Sequence, residues 1–189
     1  KRFSKDARRR LLRSKWSGQY GYFECRMKVP GARGLWPAFW LSPQDQKWPP
    51  EIDVVEIVNN GRDTTRTSFH FVHDGVKEAL PVAHSLLDVH QRYRPGFDYQ
   101  DDYHRFAVEW TAQRVRHFVD DVLVVDREFR WRHRDGSDGG AAHVLLNLAV
   151  GGQWPGPPPA DATASRRAMH RIHARCVAIE AKDIDVSSH

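Results

Sequence analysis

Short runs in which apolar and charged residues alternate are the feature that most constrains what this 189-residue chain can fold into. Within residues 20–29, every second position from Phe23 to Val29 is apolar, and the positions between them carry charge. Residues 104–110 repeat the pattern. A period of two is typical of a β-strand with one buried face. The sequence therefore predicts strands as the main elements of the fold.

Further strand signals are spread along the chain. Asp120-Asp121 separates two apolar-rich runs and predicts a hairpin with a two-residue turn. Strands are also predicted at residues 114–119, 122–126, 143–150 and 169–180. Residues 77–92 can hold one or two helical turns, although Pro81 interrupts them. Residues 151–160 form a loop, because their four prolines cannot pair in a sheet.

These elements predict one all-β domain over residues 1–189, folded as a jelly-roll β-sandwich. A basic segment at 1–16 precedes the sandwich, which covers 17–180, and residues 181–189 form a tail. A length of 189 residues and an apolar fraction of 40% suit a single core.

The net charge of +5 is concentrated at the beginning of the chain. Residues 1–15 carry a charge of +7, so the remaining 174 residues sum to −2. A nucleic-acid binder would usually distribute basic residues over its fold, so this distribution argues against that class. The basicity belongs to a tail or to a first strand.

Two cysteines, Cys25 and Cys176, are too few for a disulfide scaffold or a zinc cage. One bridge and two buried thiols remain open alternatives. No run of 18 apolar residues exists, so no membrane-spanning helix is expected, and no signal peptide is visible.

The most informative segment is a short apolar run that carries Glu51, Asp53 and Glu56. Because side chains alternate between the two faces of a strand, Glu51 and Asp53 share one face, whereas Glu56 would point into the core. An unpaired buried carboxylate is costly. One extra residue at Val54–Val55, a β-bulge, returns Glu56 to the face of Glu51. The sequence thus predicts three acids on one face of a bulged strand.

Three crowded carboxylates repel one another, which keeps the pKa of at least one of them high. A protonated acid beside an ionised nucleophile is what glycosidic bond cleavage requires, and a close pair favours retention. We expect Glu51 to act as the nucleophile, Glu56 as the general acid and then the base, and Asp53 to assist Glu51. A solvated acidic face and a divalent-cation site are the alternative interpretations.

The acids are accompanied by longer motifs, in one order from about Ser17 to Gly156. These are QYGYFECRMK at 19–28, GLWPAFWL at 34–41, YHRFAVEWT at 103–111 and NLAVGGQWPG at 147–156. Together with the E-x-D-x-x-E spacing, they resemble glycoside hydrolase family 16, which includes laminarinases, lichenases and agarases. The bulged spacing resembles the laminarinase branch more than the lichenase branch.

The resemblance implies a concanavalin A-like jelly roll with a concave substrate cleft, and it implies the same roles for the three acids. It further implies that Trp40 and Trp48 line sugar subsites, that Trp154 lies at the far side of the cleft, and that His70 lies near the acids. His70 and Trp40 have an equally simple interpretation as packing residues. A tryptophan in an apolar strand usually belongs to the core, and we assign Trp36, Trp110 and Trp131 to the core for that reason.

The chain also departs from the family pattern. Members usually have further strands before the region of Gln19, so N-terminal strands are either missing or replaced by residues 1–15. Pro50 stands where members often have glycine. Ile172 stands where many members place an aspartate, which argues against their structural calcium. No cofactor is otherwise implied, and no metal ligands are assigned. The segment 74–103 matches nothing in the family and could shape a substrate-specific loop.

The expected function is a retaining endo-glycosidase that hydrolyses internal bonds of β-1,3- or β-1,3-1,4-glucan. One alternative is a glycanase or transglycosylase that acts on an acidic exopolysaccharide, for which the arginine-rich composition leaves room. Another is a non-catalytic carbohydrate-binding domain on the same fold. We expect a secreted or periplasmic monomer whose partner is a polysaccharide, with no nucleic-acid partner.

Overall fold

A computed structural model describes residues 8–59, 67–74, 86–93, 95–158 and 173–180, and every described strand lies in one of two antiparallel sheets. The strands are β1 (Arg8–Gly18), β2 (Gly21–Lys28), β3 (Leu35–Pro43), β4 (Glu51–Glu56), β5 (Thr67–Asp74), β6 (Leu86–Tyr93), β7 (His104–Trp110), β8 (Arg114–Val119), β9 (Val122–Glu128), β10 (Ala142–Val150) and β11 (His173–Glu180). One sheet has six strands in the order β1-β10-β3-β4-β5-β6, and the other has five in the order β11-β2-β7-β8-β9. The described part of the chain is therefore an all-β sandwich, as the sequence predicts.

Alternation locates several strands almost to the residue. β2 and β7 lie where the period of two predicts them. The odd-numbered positions of β2 are buried, and so are Phe106, Val108 and Trp110 of β7. The Asp120-Asp121 hairpin is also confirmed, with φ values of 47° and 66°. Both positive φ values are what a two-residue turn needs to match the twist of its strands, and aspartate tolerates that region.

The helical turns predicted within residues 77–92 are wrong where the structure describes them. Leu86–Tyr93 is the strand β6, which pairs with β5 over eight residue pairs. Local propensity is weak evidence there, because the ladder with β5 satisfies the backbone groups that a short helix would leave exposed. Residues 77–85 lie outside the described residues.

The first strand, β1, takes up most of the basic segment assigned to residues 1–16. It pairs antiparallel with β10 from Arg8 to Gly18, with a bulge between Arg13 and Ser17. The strand therefore forms one edge of the six-stranded sheet, and much of the positive charge lies along that edge. This placement agrees with the expectation that the basicity belongs to a tail or to a first strand.

The core lies between the two sheets and is rich in aromatic side chains. Trp110 and Trp131 are buried and pack against each other, with ring centroids 4.6 Å apart, as their assignment to the core predicts. Cys25 is fully buried, and the backbone of Cys176 on β11 stands directly opposite it. The side chain of Cys176 lies outside the described residues. No helix in the described part of the chain is long and apolar enough to cross a membrane.

Candidate active site

The bulge predicted in β4 is present and falls at Val54. On the β3 side, Val55 pairs with Phe39 and Asp53 pairs with the adjacent Trp40, so Val54 is an extra residue. The β5 side has the same irregularity between the pairs of Asp53 and Glu56. The extra residue changes which face the following side chains occupy.

The consequence is a row of acids on the face of the six-stranded sheet that points away from the other sheet, called here the outer face. Ile52 and Ile57 are buried in the core on the opposite face. Asp53 is only 3% exposed and Glu56 only 2%, whereas Glu51 is half-buried. The sequence thus places its three predicted catalytic residues together on one strand, two of them largely withdrawn from solvent.

Glu56 is held by a neighbour that the sequence assigned to the core. The indole Nε1 of Trp36 donates a hydrogen bond to Oε1 of Glu56 at 3.0 Å. Trp36 is only half-buried, so its assignment to the core is wrong. On β3 it alternates with the core residues Leu35 and Pro37, which places it on the outer face. This hydrogen bond fixes the rotamer of the Glu56 carboxyl group.

The predicted substrate-binding tryptophans differ in how exposed they are and in how they connect to the acids. Trp40 lies opposite Asp53 in the ladder and is half-buried, and its Nε1 donates to Oδ1 of Asn147 at 2.8 Å. Trp48 and Trp154 are 49% and 45% exposed. The ring of Trp154 packs against Trp36 with centroids 5.1 Å apart. Exposed flat rings beside an acidic row are suited to stacking against sugars.

Two histidines flank Asp53. The backbone of His70 on β5 pairs directly with that of Asp53, as a residue near the acids should, but its side chain lies outside the described residues. His117 on β8 approaches from the core side and is fully buried. Burial lowers the pKa of its imidazole to about 3, and a hydrogen bond to the backbone of Asp53 offsets only part of that shift. No pattern in the sequence predicts this contact, because it joins the two sheets.

Metal ligation finds no support among the described residues. No group of three or more His, Cys, Asp or Glu side chains within those ranges is arranged to hold an ion. The three acids share one strand face, where Trp36 already donates to one of them. Ile172, on which the argument about calcium depends, lies outside the described residues.

A two-sheet antiparallel sandwich with an acidic row on one outer face, bordered by exposed tryptophans, defines the class of β-sandwich carbohydrate-active proteins. The chain belongs to the family "Glycosyl hydrolases family 16", whose family model matches residues 4–171.

Named relatives agree with this family. The chain is 30% identical over 168 residues to an endo-1,3-1,4-beta-glycanase, EglC, of Rhizobium meliloti. The matched region covers 89% of this chain and 32% of the relative. It is 32% identical to a beta-glucanase of Rhodothermus marinus, over 82% of this chain and 56% of the relative. The chain therefore spans between about a third and somewhat more than half of these relatives.

Solved structures are similar in fold. The laminarinase catalytic domain of Thermotoga maritima superposes with a TM-score of 0.61 at 28% identity, covering 82% of this chain and 62% of that one. LamAcat from Zobellia galactanivorans gives a TM-score of 0.65 at 26% identity, over 80% of this chain and 62% of that one. Both support the jelly-roll architecture.

Proposed function

We propose that this protein is a retaining endo-glycosidase that hydrolyses internal β-glycosidic bonds of a glucan, with Glu51 as nucleophile and Glu56 as acid and base. The observation that carries the proposal is the bulge at Val54, which brings three acids onto one outer face. In a strand selected only for stability, such a row would be unfavourable, because like charges on adjacent positions repel.

The reaction follows from the positions of these groups. Glu51 attacks the anomeric carbon and forms a glycosyl ester while Glu56 protonates the departing oxygen. Glu56 then takes a proton from water, whose oxygen attacks the same carbon and releases Glu51. Asp53 lies between them in the row and assists Glu51. Trp36 holds Glu56 in one rotamer through both steps by its hydrogen bond of 3.0 Å.

We propose β-1,3- or mixed β-1,3-1,4-glucan as the substrate, because the relatives and neighbours named above are called an endo-1,3-1,4-beta-glycanase, a beta-glucanase and a laminarinase. Trp48 and Trp154, both about half exposed, would stack against sugar rings on either side of the acids. Such polymers lie outside the cytoplasm, so we propose a secreted or periplasmic location, with the chain acting as a monomer.

The test is reducing-end release from laminarin, barley mixed-linked glucan, agarose and an acidic exopolysaccharide by the native protein and by Glu51→Gln. We expect activity on a glucan and a loss of at least about 1,000-fold in the variant, since a covalent step is removed. Glu128→Gln, at an exposed glutamate of β9, is the matched control and should keep native activity. Unchanged activity in Glu51→Gln would refute the assignment, and binding without cleavage by the native protein would favour a carbohydrate-binding domain.

An acidic polysaccharide is a second candidate substrate, supported by one feature of the outer face. Arg13, Leu145, Trp40 and Asp53 are consecutive partners across β1, β10, β3 and β4, so they form one row on that face. Arg13 is exposed at the end of the row. With strands about 4.8 Å apart, its backbone lies about 14 Å from that of Asp53. A cation there could recognise an acidic substituent a few sugars from the cleaved bond.

Hydrolysis and transglycosylation by the same acids differ in whether water or a second sugar accepts the glycosyl group. Analysis of the products would separate the two reactions.

A further inference from the structure

The segment that leads into the nucleophile strand cannot be fixed by its own backbone donors. Pro49 and Pro50 immediately precede Glu51, and proline has no N–H to donate. Trp48, which immediately precedes Pro49, is 49% exposed. Something outside this segment must therefore hold it, because both Trp48 and Glu51 need defined positions in the proposed reaction.

The neighbouring connection between β9 and β10, residues 129–141, is a tightly bonded turn. His133 N–H donates to the carbonyl of Ser137 at 2.8 Å, and Gly136 N–H donates to the carbonyl of His133 at 2.9 Å. Gly139 N–H donates to the carbonyl of Trp131 at 3.0 Å. Trp131 is buried in the core, so the turn is anchored at its base.

From this turn, the imidazole of His133 reaches the diproline segment. Its Nδ1 lies 2.9 Å from the carbonyl oxygen of Pro49, and its Nε2 lies 3.3 Å from Oδ2 of Asp45. The residue is only 6% exposed. A carbonyl oxygen can only accept, so Nδ1 carries the proton in this contact. Asp45 is itself fixed, because its Oδ1 accepts from the N–H of Lys47 at 3.0 Å.

Packing reinforces the same contact. A Cβ added to Gly139 would lie 2.6 Å from Nε1 of Trp131 and 2.8 Å from Cγ of Pro50. The turn backbone thus lies directly against Pro50, with no room for a side chain. His133 therefore hydrogen-bonds to Pro49, and Gly139 packs against Pro50. These are the two residues immediately before Glu51.

We propose that His133 is a positioning residue for the glycosidase reaction. It holds Pro49 in place, and thereby keeps Trp48 and Glu51 in the positions that they need to act on the substrate. The inference rests on the proposed function for its kinetic consequence, although the contact itself is independent of it. His133 does not touch the reacting atoms. It acts through the Pro49 carbonyl, while Asp45 lies beyond Nε2 and pairs with the ring only when both ring nitrogens carry a proton.

Two nearly isosteric substitutions separate the two contacts of the ring. The amide nitrogen of asparagine can occupy the place of Nδ1, and that of glutamine the place of Nε2. His133→Asn should therefore keep the hydrogen bond to Pro49, whereas His133→Gln should lose it and retain only the contact with Asp45. We expect His133→Gln to lower kcat/KM on the preferred glucan by about 10- to 100-fold with a raised KM, since small displacements of reacting groups have effects of this size. His133→Asn should remain within about threefold.

A second readout does not depend on catalysis. Amide hydrogen exchange in the peptide covering residues 44–51 should be faster in His133→Gln than in the native protein, and near native in His133→Asn. Equal exchange in all three proteins would overturn the proposal whether or not the native protein cleaves glucan. Faster exchange with unchanged kcat/KM would also overturn it. Should the native protein cleave no glucan, the proposed function fails, and the exchange data alone decide whether His133 holds the segment.

Discussion

At the scale of single residues, the contact between Trp36 and Glu56 accounts for how a nearly buried carboxylate keeps a defined orientation. A hydrogen bond contributes about 1 kcal/mol, and leaving its buried acceptor unsatisfied costs about 1–3 kcal/mol. Its loss therefore affects the reaction more than the loss of a stacking surface would. Trp36 and Trp154 pack against each other, so the two effects can be separated by matched substitutions.

We expect Trp36→Phe to lower kcat by about 10-fold or more while leaving KM within about twofold, because it removes the donor to Glu56 and keeps most of the ring. Trp154→Phe, the matched control, should instead raise KM, since it reduces only a sugar-stacking surface. Steady-state kinetics on the preferred glucan measure both. A reduced kcat in both variants, or in neither, would contradict the separate roles.

His117 gives the folded protein a dependence on pH that originates in the core. Folded His117 stays neutral until about pH 3, whereas an unfolded histidine binds a proton below about 6.5. Below pH 6.5 the unfolded state therefore binds more protons, and stability falls as pH falls.

We expect the free energy of unfolding to decrease by up to about 1.4 kcal/mol per pH unit from this group between pH 6.5 and 3. His117→Phe should remove that part of the slope. Urea unfolding of both proteins at pH 7 and pH 5 measures the difference, and a slope that persists unchanged in the variant would show that another group causes it.

The acids could be predicted from the sequence, because their spacing conflicts with plain alternation and the bulge resolves the conflict. Trp36 could have been found as well, since it lies four positions before Trp40 on a strand, an even number, and so shares its face. His133 could not, because its partner Pro49 is 84 residues away and the pairing depends on how two loops meet. The same holds for His117, which contacts Asp53 across the sandwich.

At the scale of elements, alternation predicted strands well where one face is buried, and it failed for β6. Leu86–Tyr93 is an edge strand of the six-stranded sheet and pairs with β5. An isolated LLDVHQRY segment does not alternate cleanly, and only the ladder determines its conformation. The glycine-rich composition of residues 135–142 likewise predicts an exposed loop, whereas Gly139 is buried against Trp131 and Pro50.

That close packing makes Gly139 sensitive to any side chain. We expect Gly139→Ala to destabilise the protein by about 1–3 kcal/mol, because the added methyl group must displace Trp131 or Pro50. Gly136→Asn is a suitable control, since nothing lies within 4 Å of a Cβ there and asparagine tolerates its positive φ of 83°. Thermal unfolding compares the two. Equal stability of Gly139→Ala and the native protein would mean that the loop yields easily.

At the scale of the whole molecule, charge and apolar surface are unevenly placed on the six-stranded sheet. The basic strand β1 lies at one edge, three strands from the acidic row. Leu12, which alternates with Arg13 and therefore faces the core side, is 69% exposed. This edge of the sandwich is thus less covered than the centre, while its outer face carries positive charge.

The location of Arg13 predicts selectivity between charged and neutral substrates. If an acidic polysaccharide binds along the row, Arg13→Glu should lower kcat/KM on it by about 3- to 10-fold, a typical range for an exposed charge, and leave laminarin unaffected. The difference should shrink at high salt. Lys15→Glu, which makes the same charge change within the bulge of β1, is the control. Equal effects of both variants, or an effect on laminarin, would contradict a specific role.

The extra residue in β4 also determines which kinds of genetic change the site tolerates. With two residues between Asp53 and Glu56, plain alternation would turn Glu56 into the core, so the site depends on the strand keeping its bulge. Replacing Val54 by another apolar residue keeps that residue count and therefore the need for the bulge. Deleting its single codon would leave one residue between the two acids, and plain alternation alone would then place Glu56 on the outer face and Ile57 in the core. An in-frame deletion can therefore remove the bulge without reversing the face of any acid, although Glu56 would move one position closer to Asp53.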